Sequence, residues 1–230
     1  MARAVKRIVR RHRDADVQLW FEDEACVGQK GRNAHVWYQR GQRPIAPTDK
    51  RFKSVYVYGA VRPDTDDAFG LVLPHADTAM MSLFLDAFSA SLAPNVHAIL
   101  VMDKAGWHVT GRLKVPQNVS LVHLPPYSPE LNLVERVGLH LKERYLSHRV
   151  FADVPAIVYA CAKAWNDLLA DKGRVASLTA YPYLKQVWTS SGWYKAELTT
   201  PLRFFERAIP AWPLRRPSSS YLKIASICHI

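Results

Sequence analysis

The sequence predicts an α/β protein, a mixed β-sheet with helices on its faces, and three observations carry that prediction. Segments around residues 17–27 and 54–75 alternate, or are rich in β-branched and aromatic residues, as half-buried strands require. HAILVM (97–102) is a short, continuous apolar run of the kind buried on both faces. Elsewhere apolar residues recur at helical spacing. Three opening strands followed by strand–helix alternation place the strands in one sheet and the helices over it.

The elements follow in order. MARAVKRIVRRHRDAD holds Arg3, Lys6, Arg7, Arg10, Arg11 and Arg13 before any acid, and reads as a short basic helix or arm over residues 1–15. VQLWFEDEACV alternates and ends in acid, consistent with a core strand emerging at its C-terminal end. Gly28, Gly31, Asn33 and Gly41 break the next segment into turns around HVWYQR, a second strand, and Pro44 and Pro47 mark a loop. KSVYVYGAV turns at RPDTDD and returns as AFGLVLPH, an antiparallel hairpin over 54–75. In DTAMMSLFLDAFSASLA, Asp77 or Thr78 caps a helix whose Met81, Phe84, Leu85 and Phe88 share a face, and Pro94 and Asn95 end it.

After the strand HAILVM, a stretch around TGRLKV has helical potential, and VSLVHL is a further strand. PPYSPELN is a rigid turn in which Pro129-Glu130 opens a helix expected from about Leu131 to Leu146. VPAIVYACAKAWNDLLA, with Pro155 in its first turn, is another amphipathic helix. Beyond about residue 188 the period is lost among scattered Trp and Pro and the pair Arg215-Arg216. The expected organisation is a basic N-terminal arm (1–15), a central α/β domain (16–188) and an irregular basic C-terminal tail (189–230).

Composition bounds the function. Hydrophobic residues are 49% of the 230, enough for a sizeable core. No run approaches the length of a membrane span, and the basic start leads into charge rather than into a signal region. Cys26, Cys161 and Cys228 are few, odd in number and far apart, which argues against a disulfide framework or a structural zinc site and fits a reducing cytoplasm. The formal net charge of +11 attracts polyanions by steering and counterion release.

Three acids carry the chemistry. Asp23 closes VQLWFEDEA, Asp103 closes HAILVMDKAGWH, and Glu135 sits in LPPYSPELNLVERV. Strands side by side in a mixed sheet bring Asp23 and Asp103 to one edge, with Glu135 on a helix nearby. An Asp after an apolar run is more often a cap or turn residue. Three converging carboxylates are also the hard oxygen donors that two Mg²⁺ ions need for in-line displacement at phosphorus.

In this order FEDEA, VMDKAGWH and LPPYSPELNLVERV resemble the DDE transposases of bacterial insertion sequences in the mariner superfamily. The likeness covers roughly residues 15–185, and the last motif is long and specific. It implies a ribonuclease-H-like fold, a mixed sheet with helices on both faces. It also implies Asp23, Asp103 and Glu135 as the catalytic, metal-binding triad, using Mg²⁺ (or Mn²⁺) to cleave double-stranded DNA at transposon ends and join it to a target. A homodimer at paired ends, and a bacterial cytoplasmic, nucleoid-associated protein without a membrane anchor, follow from the same resemblance. Alternatives are a ribonuclease-H-like nuclease without strand transfer, and a catalytically impaired remnant that only binds DNA.

The chain departs from that family pattern at Lys104 (usually Asn), Leu133 (usually Pro) and Gly138 (usually Trp). Only a basic stub stands where family members carry helix-turn-helix modules, so a fragment, a second reading-frame product or a decayed copy is an expectation too. Candidate DNA contacts are Arg40, with Trp37 and Tyr38 as a DNA-facing edge, and Lys50, Arg51 and Lys53, with Arg43, as a basic loop. A packed Trp37 and a solvated loop are the plainer readings. Lys104 either meets phosphate or repels a metal. His108 either contacts substrate phosphate or buttresses the site, or is a polar residue satisfied at a strand exit. Glu24 points away from Asp23 if the strand continues. Tyr127 and Ser128 shape the turn that aims Glu135.

Overall fold

The computed structural model describes residues 1–30, 40, 45, 49–126 and 128–181. The expected strand HVWYQR, except an exposed Arg40, falls outside these residues, as do Arg43, Pro44, Pro47, Tyr127 and the expected C-terminal tail. The elements are α1 (Ala2–Arg11), β1 (Asp16–Gly28), β2 (Ser54–Val61), β3 (Ala68–Leu73), α2 (Thr78–Ser91), β4 (Val96–Met102), β5 (Val119–His123), α3 (Val134–His140), α4 (Val154–Ala170) and α5 (Arg174–Thr179). A 3-10 turn, Pro129–Leu131, precedes α3, and a π-helical turn, Leu141–Tyr145, follows it.

The five strands form one mixed sheet in the order β3-β2-β1-β4-β5. β1 pairs antiparallel with β2, and β2 with β3, while β1–β4 and β4–β5 are parallel. Alternation along the strands divides the interior into two cores. Phe21, Val57, Val72, Ile99, Val101 and Val122 face the side covered by α3 and α4. Trp20, Tyr58, Phe69, Leu71, Leu100 and Met102 face α2. Helices therefore lie on both faces, and every residue of β4 is buried, as its unbroken apolar run requires.

Local chemistry accounts for most boundaries. Asp77 caps α2 by accepting from the Met80 backbone N–H at 2.9 Å, and Met81, Phe84, Leu85 and Phe88 are the buried face. Asp153 caps α4 in the same way through Ala156 N–H, with Pro155 in the first turn. The basic segment at the start is a helix that docks. Its Ala4, Val5, Ile8 and Val9 pack on the core beneath α3 and α4, leaving Arg3, Lys6, Arg7, Arg10 and Arg11 exposed.

Three expectations need correction. TGRLKV forms turns rather than helix, because Gly111 and Pro116 bracket a stretch too short to nucleate one. The helix expected from Leu131 begins at Val134, after a separate 3-10 turn, and loosens into the π-helical turn before Tyr145. Asp23 does not end its strand. β1 runs on to Gly28 because β2 keeps pairing with it as far as Gly28↔Ser54 after β4 has stopped.

Two glycines admit the largest side chain of α4. A Cβ on Gly70 would lie 2.6 Å from Trp165 Cε2, and one on Gly59 would lie 3.0 Å from Trp165 Cη2, so the indole lies directly on the sheet backbone. Gly138 is different. It is half-buried, and a Cβ there would meet only Ala25 Cβ, at 3.4 Å. We expect Gly70→Ala to cost about 1–3 kcal/mol in urea unfolding through overpacking. Gly138→Ala should be neutral or stabilise by up to about 1 kcal/mol through helix propensity. Equal effects of the two substitutions would contradict this packing.

Candidate active site

The parallel register sets the site. Asp16↔Val96 through Phe21↔Val101 pair at a constant offset, so extending it two residues sets Asp23 level with Asp103. Neighbouring strands lie about 4.8 Å apart. β4 ends at Met102, and its next residue, Asp103, turns out into solvent with 56% of its side chain exposed. Asp103 Oδ1 accepts from the Ala105 backbone N–H and meets His108 Nδ1, both at 2.8 Å.

Glu135 arrives from α3, and one asparagine docks that helix. Asn132 is buried, its Nδ2 donates to the Glu22 carbonyl of β1 at 3.0 Å, and its Oδ1 accepts from Val134 N–H at 3.3 Å. It thus ties the start of α3 to the backbone residue beside Asp23. Leu133, where the family pattern has Pro, is fully buried in the core with Val134 and Val137.

The result is a cleft of about 430 Å³ lined by Asp23, Asp103 and Glu135 together with Lys104, Pro125, Ser128 and Asn132. A second opening on the same acids carries Asp23, Glu135, Arg136, Gly138 and Lys142. The charges feel one another. Burial, then the charge of Glu24, then those of Glu135 and Asp103, push Asp23 up to about 7 despite a lowering backbone hydrogen bond. Oxygen donors that repel one another in a cleft suit a hard divalent cation, which would turn that repulsion into attraction.

The opposite face of β1 carries Glu22 and Glu24. Glu24 Oε1 accepts from Trp107 Nε1 at 2.9 Å and meets His108 Nε2 at 3.0 Å. His108 is 2% exposed with a carboxylate on each ring nitrogen, which places it behind Asp103. Burial alone would lower its pKa, but the Glu24 hydrogen bond and the charges of Glu24 and Asp103 raise it.

The basic candidates separate. Lys104 lines the acidic cleft. The Arg51 guanidinium is engaged by Asp49 and by the carbonyls of Phe151 and Ala152 at 2.8 and 2.7 Å, which docks its loop while leaving half of the side chain exposed. Lys53 lines a neighbouring cleft with Lys30, Phe52 and Lys142, and Lys50 is exposed. Lys142 lines both that cleft and the second acidic opening. Sequence reasoning missed Asn132, Arg136 and Lys142. The spacing of Glu135 and Lys142, two helical turns, was the available signal for the last.

Comparisons with known proteins bear on the family and the fold. The family described as DDE superfamily endonuclease matches residues 18–158. The uncharacterized protein y4pE/y4sA of Sinorhizobium fredii (strain NBRC 101917 / NGR234) is 45% identical over 123 residues, covering 54% of this chain and 91% of the relative. The Mos1 mariner paired end complex with Mn superposes with a TM-score of 0.57 at 14% identity, covering 89% of this chain and 61% of that one. The Mos1 strand transfer complex gives a TM-score of 0.53 at 13% identity, covering 89% and 60%. At such identities the likeness is one of fold, and the chain spans about three-fifths of the Mos1 chains' length. The chain belongs to the DDE superfamily endonuclease family.

Proposed function

We propose that this chain is the catalytic domain of a transposase that cleaves double-stranded DNA at insertion-sequence ends and joins the freed ends to a target. The observation that carries the reading is the single cleft lined by Asp23, Asp103 and Glu135. In the reading, these three bind Mg²⁺ or Mn²⁺, as two ions. Bound metal supplies Lewis acidity for the attacking and leaving oxygens of an in-line displacement. Solved Mos1 paired end complexes with Mn and with Mg support that choice of metal, and their paired ends support a homodimer.

The protein's own groups do the rest. Ala105 N–H and His108 hold the Asp103 carboxylate in a fixed orientation. Asn132 sets the distance between α3 and β1, and so between Glu135 and Asp23. Lys104, Arg136 and Lys142 border the acids and would meet phosphate oxygens of a strand laid across them. The exposed basic face of α1 adds attraction for the polyanion. Lys104 also favours a second reading, an impaired DNA-binding remnant, since it adds a positive charge to the lining of the cleft that would hold the metal.

Plasmid nicking in Mg²⁺ or Mn²⁺ tests the proposal. Asp103→Asn should abolish cutting, by at least about 100-fold, while leaving salt-sensitive DNA binding in place. Equal cutting by both proteins would reject the triad, and no cutting by the unaltered chain would favour the remnant. Joining of a free 3′-hydroxyl end to a target plasmid then separates a transposase from a nuclease.

A pH dependence follows from Asp23. Its folded-state pKa near 7 lies above the ordinary 3.8, so the native state holds a proton that the unfolded chain releases. Its contribution to stability is therefore greatest in acid and is lost as pH rises from about 4 through 7. In EDTA, Tm should fall across that window. Asp23→Asn should flatten the fall, and Mg²⁺ should restore Tm at pH 8 in the unaltered protein only. A slope unchanged by Asp23→Asn would contradict the assignment.

A further inference from the structure

Behind the acidic cleft, on the other face of β1, lies a group of donors that the DNA-cutting reading does not use. Glu22 is fully buried, and among the described residues neither of its carboxylate oxygens has a hydrogen-bond partner. One oxygen of Glu22, one of Glu24 and a ring nitrogen of His108 all lie within 4.8 Å of one another. Leaving a buried carboxylate without a partner is costly, and a proton or a cation are the two ways to relieve it.

We propose that Glu22, Glu24 and His108 form a separate site for a first-row transition-metal dication such as Zn²⁺ or Mn²⁺. Two carboxylates and one neutral imidazole match a dication in charge. The nitrogen donor selects against Mg²⁺, which prefers oxygen and keeps its waters. Donors sharing a Zn²⁺ at about 2.0–2.2 Å in a tetrahedral array lie roughly 3.3–3.6 Å apart, so side-chain rotation closing the set by up to about 1.5 Å completes it.

The surroundings are those of a metal-binding histidine. His108 Nδ1 faces Asp103 Oδ1 at 2.8 Å, a carboxylate that would fix the ring with Nε2 towards the metal. At Nε2 the cation takes the place of the proton shared with Glu24. Trp107 Nε1–H holds Glu24 from the other side. His123 is hydrogen-bonded to the His108 backbone, and its buried Nε2 has no partner among the described residues. Because His108 touches both Glu24 and Asp103, an ion here would also fix the orientation of Asp103 from behind.

None of the three donors belongs to the triad, and the test separates the two sites. The full chain carrying Asp23→Asn and Glu135→Gln, with Asp103 kept as the partner of His108 Nδ1, is stripped with chelator and titrated with Zn²⁺ alone by calorimetry and metal analysis. One equivalent should bind and raise Tm. Adding Glu22→Gln, isosteric with the protonated acid and therefore tolerant of folding, should weaken binding at least tenfold and remove the Tm shift. Glu24→Gln should do the same. No bound equivalent, with Glu22→Gln leaving Tm unchanged or higher, would show that Glu22 holds a proton instead. Zn²⁺ binding unaffected by either substitution would place the ion on other histidines. Either result overturns the proposal, whatever the nicking assay shows.

Discussion

The parallel pairing of β1 with β4 is the constraint on which the rest depends. It holds six consecutive pairs in one register and then stops, because β4 runs out of buried apolar residues at Met102. At that level the sheet opens. β1 continues with β2 as its remaining partner, so Asp23 keeps strand geometry while losing a neighbour on one side. A polar side chain there is held by a regular backbone and still reaches solvent. A one-residue slip of this ladder would turn Asp23 into the α2 core and swing Glu22 into the cleft.

That arrangement concentrates negative charge in an otherwise basic chain. Glu22, Asp23 and Glu24 follow one another, and Asp103 and Glu135 approach from other elements. Burial and mutual repulsion raise Glu22 and Asp23 together. Such crowding opposes folding and persists only where the surrounding structure enforces it. Here the enforcement comes from backbone pairing on β1, from Asn132 locking α3 to it, and from His108 and Trp107 bracing Asp103 and Glu24. The basic groups are set around the acids rather than against them. Lys104, Arg136 and Lys142 border the openings, while Arg51 and Asp49 are occupied elsewhere.

The departures from the family pattern take on physical meaning in the fold. Leu133 fills the core, so the turn into α3 keeps its anchorage without a proline there. Gly138 is half-buried, lining both the second acidic opening and a small gap beside Val57, Val134 and Trp165, so part of the space at this position faces the cleft and part the core. Lys104 is the departure that lines the cleft with all three acids.

The sequence by itself determined the α/β class, the 54–75 hairpin, the capped helix α2, the fully buried β4 and the proline-started α4. Each is written in local periodicity and capping chemistry. It also marked Asp23, Asp103 and Glu135 as a set, though through the words around them more than through their spacing. Only the tertiary structure decided that these acids share a cleft, because strand order and register are long-range properties that no window of sequence contains. The same holds for Asn132, whose partner carbonyl is on β1, and for Arg51, whose acceptors lie a hundred residues away. His108 illustrates the limit most clearly. Its position after Asp103 is plain in the chain, but its burial between two carboxylates depends on β1 and β4 lying side by side.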